Sequence, residues 1–104
     1  MATEQGAAAA RDLPKAEALV SGLYAFAEAQ AWEDPAEPVD DYFRITRIEP
    51  GRIWFTGTDG RERGPIPLPE ELTRQCTVGW AVSGAIGRVD QHWQLLEAWN
   101  VYPL

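Results

Sequence analysis

Apolar residues between positions 13 and 32 recur at intervals of three and four, the spacing that gathers side chains on one face of an α-helix. Asp12 suits the N-cap of such a helix, and Pro14 suits its first turn, where the missing N–H has no partner to lose. The spacing predicts a helix over 13–32, preceded by a disordered or frayed tail over 1–11. The apolar face consists of Ala16, Leu19, Val20, Leu23, Phe26 and Ala27.

From residue 42 onward the apolar spacing changes to alternate positions, which is typical of β-strands. The intervening segment EDPAEPVDD, residues 33–41, carries two prolines and five acids and is interpreted as an acidic linker. The sequence therefore predicts an α+β fold, in which an N-terminal amphipathic helix precedes a five-stranded, strongly bent antiparallel sheet or a small SH3-like or OB-like barrel. With 104 residues the chain has room for one core, so residues 12–104 are predicted to form a single domain.

Two turn sequences set the registers of the first strands. Pro50-Gly51 separates two apolar runs, and Asp59-Gly60 is typical of a two-residue hairpin turn. A third hairpin is expected to turn through a four-residue loop over 88–91. The predicted pairs are Ile48 with Ile53, Arg47 with Trp54, Ile53 with Ile66, Phe55 with Gly64, Thr56 with Arg63, Val82 with Glu97 and Trp80 with Trp99.

The helical face has two interpretations. It covers a smooth sheet face, or it pairs with the same face of a second copy in a dimer. Gly22 weakens the helix and indicates close packing against another element. The smooth sheet face would consist of Ala81, Ser83, Leu96 and Ala98.

Glu97 stands in an otherwise apolar row of the last predicted strand, between Leu95 and Trp99. A carboxyl group buried there without a partner would favour its neutral form, which is how a general acid is prepared. Two other interpretations remain open. An arginine pairs with the buried Glu97, or a β-bulge at Leu95–Leu96 turns Glu97 outward.

The predicted registers also gather arginines around one tryptophan on a face of the first three strands. Guanidinium groups pair with carboxylate or phosphate and stack on indole, so this face suits an anion or a flat ring. Alternatively, the face is solvated and the Arg–Trp pairs are ordinary cross-strand packing, or the acidic linker 33–41 folds across it and neutralises the arginines. The predicted binding residues are Trp54, Arg47, Arg52, Arg61 and Arg63.

The net charge of −7 is concentrated in residues 28–41, which contain six acids and no base. This acidity disfavours general binding to a nucleic-acid backbone, and no apolar run has the length of a membrane span. The single cysteine, Cys76, cannot form an internal disulfide and leaves no zinc site of the usual kind. Because the first residues do not resemble a secretion signal, the expected location is the cytoplasm of a bacterium.

His92 and Cys76 are the remaining chemically distinctive residues. His92 is expected at the tip of the last hairpin beside Asp90, and Cys76 has no basic neighbours that favour a thiolate. The sequence therefore predicts a small non-enzymatic binding or interaction module that uses the arginine-rich face, with no cofactor or metal. The expected partner is a protein or a second copy. A small molecule or single-stranded nucleic acid on the same face is the alternative, and an enzyme using Glu97 is the third.

Overall fold

The chain forms one long helix, one short helix and five strands in a single antiparallel sheet. The computed structural model describes residues 2–103, with side chains from residue 12 onward. The sheet order β3-β2-β1-β4-β5 confirms the predicted α+β class. The elements are α1 (Ala2–Gln30), β1 (Ala36–Glu49), β2 (Arg52–Thr56), β3 (Glu62–Pro67), α2 (Glu70–Thr73), β4 (Ala81–Val89) and β5 (His92–Tyr102).

The sheet bends until its two edge strands, β3 and β5, approach each other. No hydrogen-bonded ladder joins these strands within residues 2–103, so the sheet stays open. The predicted bent sheet is therefore present, while the barrel alternative is not confirmed.

Helix α1 is longer than its apolar spacing predicts, since it begins at Ala2 and includes Pro14. Alanine has the highest helix propensity, and the run Ala7–Ala10 carries the helix past the cap predicted at Asp12. The backbone of residues 2–11 belongs to the same helix, and Met1 lies outside the described residues. The helix ends at Gln30, before the left-handed conformation of Ala31.

Most of the segment predicted to be a linker is the first part of β1. Val39 pairs with Ile86 of β4, and Asp41 pairs with Gly84. Strand pairing tolerates Pro38 because the ladder is irregular between Ala36 and Val39. Three of its acids, Glu37, Asp40 and Asp41, are therefore held at defined positions on the sheet, while Glu33 and Asp34 precede the strand.

The first two hairpins follow the predicted registers up to Trp54 and then depart from them. The pairs that occur as predicted are Ile48–Ile53, Arg47–Trp54 and Ile53–Ile66. Beyond them Phe55 faces Arg63 instead of Gly64, and Thr56 faces Glu62 instead of Arg63. The shift coincides with Gly64, where a Cβ atom would lie 2.5 Å from Cδ1 of Trp54. The indole thus occupies the space that a side chain at position 64 would need.

The C-terminal hairpin turns more tightly than predicted. A two-residue turn at Asp90 and Gln91 replaces the four-residue loop, and both residues have the positive φ that a type I′ turn requires. The predicted register is therefore wrong. Val82 faces Val101 rather than Glu97, and Trp80 precedes β4 instead of facing Trp99.

Strand β5 contains two bulges, in which Leu96 and Trp99 are the extra residues. These bulges allow three residues spaced three apart to lie on the inner face, although strict alternation would separate them. The buried residues in question are Leu95, Ala98 and Val101. Because Ala98 joins the core, the smooth face predicted from Ala81, Ser83, Leu96 and Ala98 does not exist as one surface.

One core holds α1 against the sheet. Leu19 and Leu23 of α1 are almost fully buried in the same cluster as Phe43 and Phe55, whose rings stack with centroids 5.2 Å apart. Gly22 allows α2 to approach, because a Cβ atom there would lie 2.5 Å from Cδ2 of Leu72. The helix thus covers the apolar inner face and leaves the other face of the sheet outside.

Candidate functional site

Two of the four arginines predicted around Trp54 are there. Arg47 faces Trp54 across the β1–β2 ladder, and its Cζ lies 4.5 Å from the indole centroid. Arg52, two residues before Trp54 on β2, has its Cζ 5.8 Å from the same centroid. Both distances are within the range of a cation–π contact. Arg47, Arg52 and Trp54 are called the arginine–tryptophan surface below.

Glu49 already binds both arginines of this surface. Its Oε2 accepts a hydrogen bond from Nη2 of Arg47 at 2.5 Å, and its Oε1 accepts one from Nε of Arg52 at 2.8 Å. The hydrogen bond from Arg52, followed by that from Arg47, lowers the pKa of Glu49. Pairs this exposed contribute little to stability, yet the carboxylate of Glu49 competes with an acidic partner for both guanidinium groups.

Arg63, the third predicted residue, is buried because the register shift places it opposite Phe55. Its Nη2 donates to Oδ2 of Asp59 at 2.7 Å. This hydrogen bond, with one from the backbone N–H of Arg61, lowers the pKa of Asp59 to about 2. The pair connects the loop of the β2–β3 hairpin to β3. Arg61 stays exposed in its loop, and among the described residues it makes no cation–π contact with Trp54.

The acids of the predicted linker contact other groups than the arginine–tryptophan surface. Asp41 accepts hydrogen bonds from the backbone N–H and the hydroxyl of Thr58 at 2.9 Å. Burial raises the pKa of Asp41, but the hydrogen bonds from Thr58 and from the N–H of Tyr42 outweigh it, so the pKa is lowered. Glu37 pairs with Arg88 at 3.3 Å. The arrangement in which this segment covers Arg47 and Arg52 is therefore not the one observed.

Glu97 is exposed, which corrects the suggestion of a buried acid. The bulge at Leu96 turns it to the outer face, as one of the sequence alternatives described, and it pairs with Ala85. Its Oε2 accepts a hydrogen bond from Nε1 of Trp99 at 3.0 Å. Glu97 is thus tied to an aromatic neighbour in the open.

His92 and Cys76 bring no catalytic arrangement to Glu97. His92 is exposed at the start of β5, five residues and roughly 15 Å along the strand from Glu97. Burial raises the pKa of the Cys76 thiol to about 12, and its Sγ donates to the carbonyl of Leu72 at 3.3 Å. Within residues 12–103 no group of His, Cys, Asp or Glu side chains forms a metal-binding cluster.

A groove of about 740 Å³ lies between the C-terminal end of α1 and the outer face of the sheet. Its floor contains Ala85, which pairs with Asp40 on one side and with Glu97 on the other, so two carboxylates flank a small residue across three adjacent strands. The aromatic side chains that line it are Tyr24, Trp32 and Trp99. Its lining acids are Glu28, Asp40 and Glu97. Among the described residues that line it, none is a lysine, an arginine or a histidine. This feature is called the aromatic–acidic groove below.

Hydrogen bonds hold two acids of the groove against its aromatic residues. The hydroxyl of Tyr24 donates to Oε1 of Glu28 at 3.2 Å, as Trp99 does to Glu97. The hydrogen bond to Glu28, its charge and the charge of Glu97 raise the pKa of Tyr24 above its usual value. Both carboxylates therefore act on the same phenol. Nε1 of Trp32 is buried and has no acceptor in the described part of the chain.

A second concavity of about 550 Å³ continues the groove along the outer face. The two share Asp40 and Trp99, and the second is floored by Ser83, which is buried. Its walls include Tyr42 and Tyr102, whose rings lie 6.0 Å apart. The exposed aromatic residues and the acids thus form one connected trough.

Sequence reasoning missed this trough for an identifiable reason. The small outer-face residues of β4 alternate in the sequence as Ser83, Ala85 and Gly87, which indicates a low floor. The acids of 28–41 were also visible. A bulge at Leu95–Leu96 that turns Glu97 outward was one of the sequence alternatives, but the second bulge, at Trp99, was not predicted, so the wall could not be placed.

Compared with known protein families, characterised proteins and solved structures, the chain has no match. None of the helices in residues 2–103 combines the length and the apolar character needed to cross a membrane. The class of protein is therefore described by its structure alone. It is a small α+β domain with an aromatic–acidic trough on an open, bent sheet.

Proposed function

We propose that this protein is a non-enzymatic binding module that docks a segment of a partner protein in the aromatic–acidic groove. The observation that supports this function best is the construction of the groove. A floor of small residues lies below walls that contain Tyr24 and Trp99, whose side chains are 53% and 50% exposed. Aromatic residues of this kind are enriched at protein interfaces and supply much of their binding energy.

The shape of the trough favours a segment of chain over a small molecule. A pocket for a small ligand buries most of the surface of that ligand. Here the groove is open and continues into the second concavity, past Trp99 and between Tyr42 and Tyr102. An extended segment would use both concavities, whereas a compact ligand would leave most of the trough empty.

The arginine–tryptophan surface is the second candidate, for an acidic protein segment or a second copy of this chain. The observation in its favour is the stacking of Arg47 on Trp54 at 4.5 Å. It ranks second because Glu49 holds both arginines, and because Arg61 and Arg63 do not take part. We place the module in the cytoplasm. That compartment is reducing, and this protein has one cysteine and therefore no internal disulfide to maintain.

The test is a selection of random peptides on the protein, followed by ¹H–¹⁵N spectra of the complexes. The five tryptophan indole N–H signals report the site directly. Trp32 and Trp99 line the groove, Trp54 marks the arginine–tryptophan surface, and Trp80 and Trp93 are buried. We expect selected peptides to shift the signals of Trp32 and Trp99.

The matched variants are Trp99→Ala and Val78→Ala, both at exposed apolar residues, of which only the first lines the groove. Trp99→Ala is expected to weaken peptide binding at least tenfold, about 1.4 kcal/mol or more, and Val78→Ala by less than about twofold. Shifts confined to Trp54 would replace the groove by the arginine–tryptophan surface. If no peptide binds saturably, the module proposal is wrong.

A further inference from the structure

We infer that the occupant of the aromatic–acidic groove is a cationic segment, an extended stretch of a partner chain that carries lysine or arginine side chains. This inference rests on the proposed function, because it names the chemistry of the partner that the groove docks. It also reverses the expected charge of the partner, because the arginine-rich face would select an acidic partner.

The first argument is the charge of the lining. Glu28, Asp40 and Glu97 face the groove, and within residues 12–103 none of them takes part in a salt bridge. The same protein pairs other acids with arginines, as with Glu49, Asp59 and Glu37. The groove therefore keeps three carboxylates together without an internal cation, a clear charge complementarity for a basic side chain.

The second argument is the aromatic neighbour of each carboxylate. Tyr24 donates to Glu28 and Trp99 donates to Glu97, so each acid is held beside a ring while its second oxygen stays available. A lysine or arginine head group that pairs with the carboxylate is then close to the aromatic surface, where cation–π attraction adds to the ion pair. The hydrocarbon stem of either side chain packs on the same rings.

The third argument is the length of the trough. Asp40 belongs to both concavities, and Asp41 and Tyr42 extend the acidic and aromatic lining beyond it. An extended chain presents alternate side chains on one side at intervals of about 6.6 Å. Several basic side chains of one segment can thus meet carboxylates in turn.

The experiment uses the full chain and short Gly/Ser peptides that differ only at alternate positions. One peptide carries lysines there, a second carries glutamines and a third carries glutamates. Binding is measured by calorimetry, and the site is read from the indole N–H signals of Trp32 and Trp99. We expect the lysine peptide to bind at least tenfold more tightly than the glutamine peptide and the glutamate peptide not to bind. Binding of the lysine peptide should weaken when salt rises from about 50 mM to about 300 mM.

The matched variants remove two charges inside the groove or two outside it. Glu28→Gln with Glu97→Gln keeps an oxygen to accept the hydrogen bonds of Tyr24 and Trp99. Glu17→Gln with Glu71→Gln changes the net charge equally at exposed residues that do not line the groove. We expect the first pair to weaken the lysine peptide about tenfold and the second less than about twofold.

Each other outcome has a separate meaning. If the lysine and glutamine peptides bind equally and shift Trp32 and Trp99, the groove docks a segment but the cationic preference is wrong. If the two double variants weaken binding equally, the attraction comes from the net charge and the groove site is wrong. If spermine binds with the same signals while no peptide does, the ligand is a small amine rather than a segment. If no peptide selected from the random library binds at these signals either, the proposed function itself fails.

Discussion

Arg47 and Arg63 show how a shift of one residue decides what an arginine does. Arg47 lies three residues before Pro50 of the Pro50–Gly51 turn, with a bulge only on its far side, and it stacks on Trp54 as the sequence predicts. Arg63 lies beyond the irregularity in the β2–β3 ladder, which places it opposite Phe55 and buries it. The residue types were read correctly in both cases. Their faces depended on a bulge that residue types alone did not reveal.

At this scale the pair of Asp59 and Arg63 predicts a pH dependence. Folding lowers the pKa of Asp59 from 3.8 to about 2, because Arg63 donates to the ionised carboxylate. A lowered pKa in the folded state stabilises the fold above pH 3.8, and this stabilisation is lost as the pH falls from 3.8 towards 2. The difference in unfolding free energy between the wild type and Asp59→Asn should therefore be constant above about pH 5 and shrink below about pH 4.

Urea unfolding of both proteins at a series of pH values measures this difference. Asp90→Asn, at an exposed aspartate in the other tight turn, is the control. This variant controls for an Asp-to-Asn substitution in a turn that lacks the hydrogen bond from Arg63. A difference for Asp59→Asn that does not change with pH would mean that Arg63 gains nothing from the charge of Asp59.

The elements differ in how far the sequence predicts them. The apolar spacing of α1 identified its buried face correctly, because a helix without interruption keeps its period. Strand β5 does not keep its period, since the bulges at Leu96 and Trp99 each change the face of the residues that follow. The interpretation of Glu97 as a buried acid was wrong for this reason, whereas the alternative of a bulge at Leu95–Leu96 describes its exposed position. The aromatic–acidic groove was missed because the second bulge, at Trp99, was not predicted.

A substitution at Gly84 tests whether the bulged part of β5 packs closely against β4. The bulged part of β5 lies so close to β4 that a Cβ atom on Gly84 would be 2.3 Å from the carbonyl oxygen of Glu97 and 3.2 Å from Cα of Ala98. Both neighbours are backbone atoms and cannot rotate away. Gly84→Ala is therefore expected to destabilise the protein by about 1–3 kcal/mol, although alanine is normally better than glycine inside a strand.

The comparison for this prediction is Gly87→Ala in the same strand. There the nearest atom to the new Cβ is Cδ1 of Leu96 at 2.9 Å, the flexible end of a side chain that can move. Urea unfolding should show a clearly smaller loss for this variant. If both substitutions cost the same, the close approach of β5 to Gly84 is not what limits this position.

At the scale of the whole molecule, β1 carries residues of both candidate surfaces on its outer face. Asp40 and Tyr42 line the trough, while Arg47 belongs to the arginine–tryptophan surface further along the same strand. Asp40 and Arg47 are seven residues apart, roughly 20 Å along a strand. The strand is paired on at least one side along most of its length, so this spacing does not depend on a flexible link.

A separation of roughly 20 Å between acidic and basic ends exceeds the Debye length of about 8 Å at physiological ionic strength and falls below the value of about 30 Å at 0.01 M. At low ionic strength, both ends therefore act together on an approaching charged molecule, and this dipole along β1 orients the molecule before contact. In physiological salt the two ends are screened from each other, and each attracts its own visitor regardless of what the other end holds. Because the strand fixes the distance between the two ends, ionic strength determines whether this face acts on a charged partner as one dipole or as two independent charged sites.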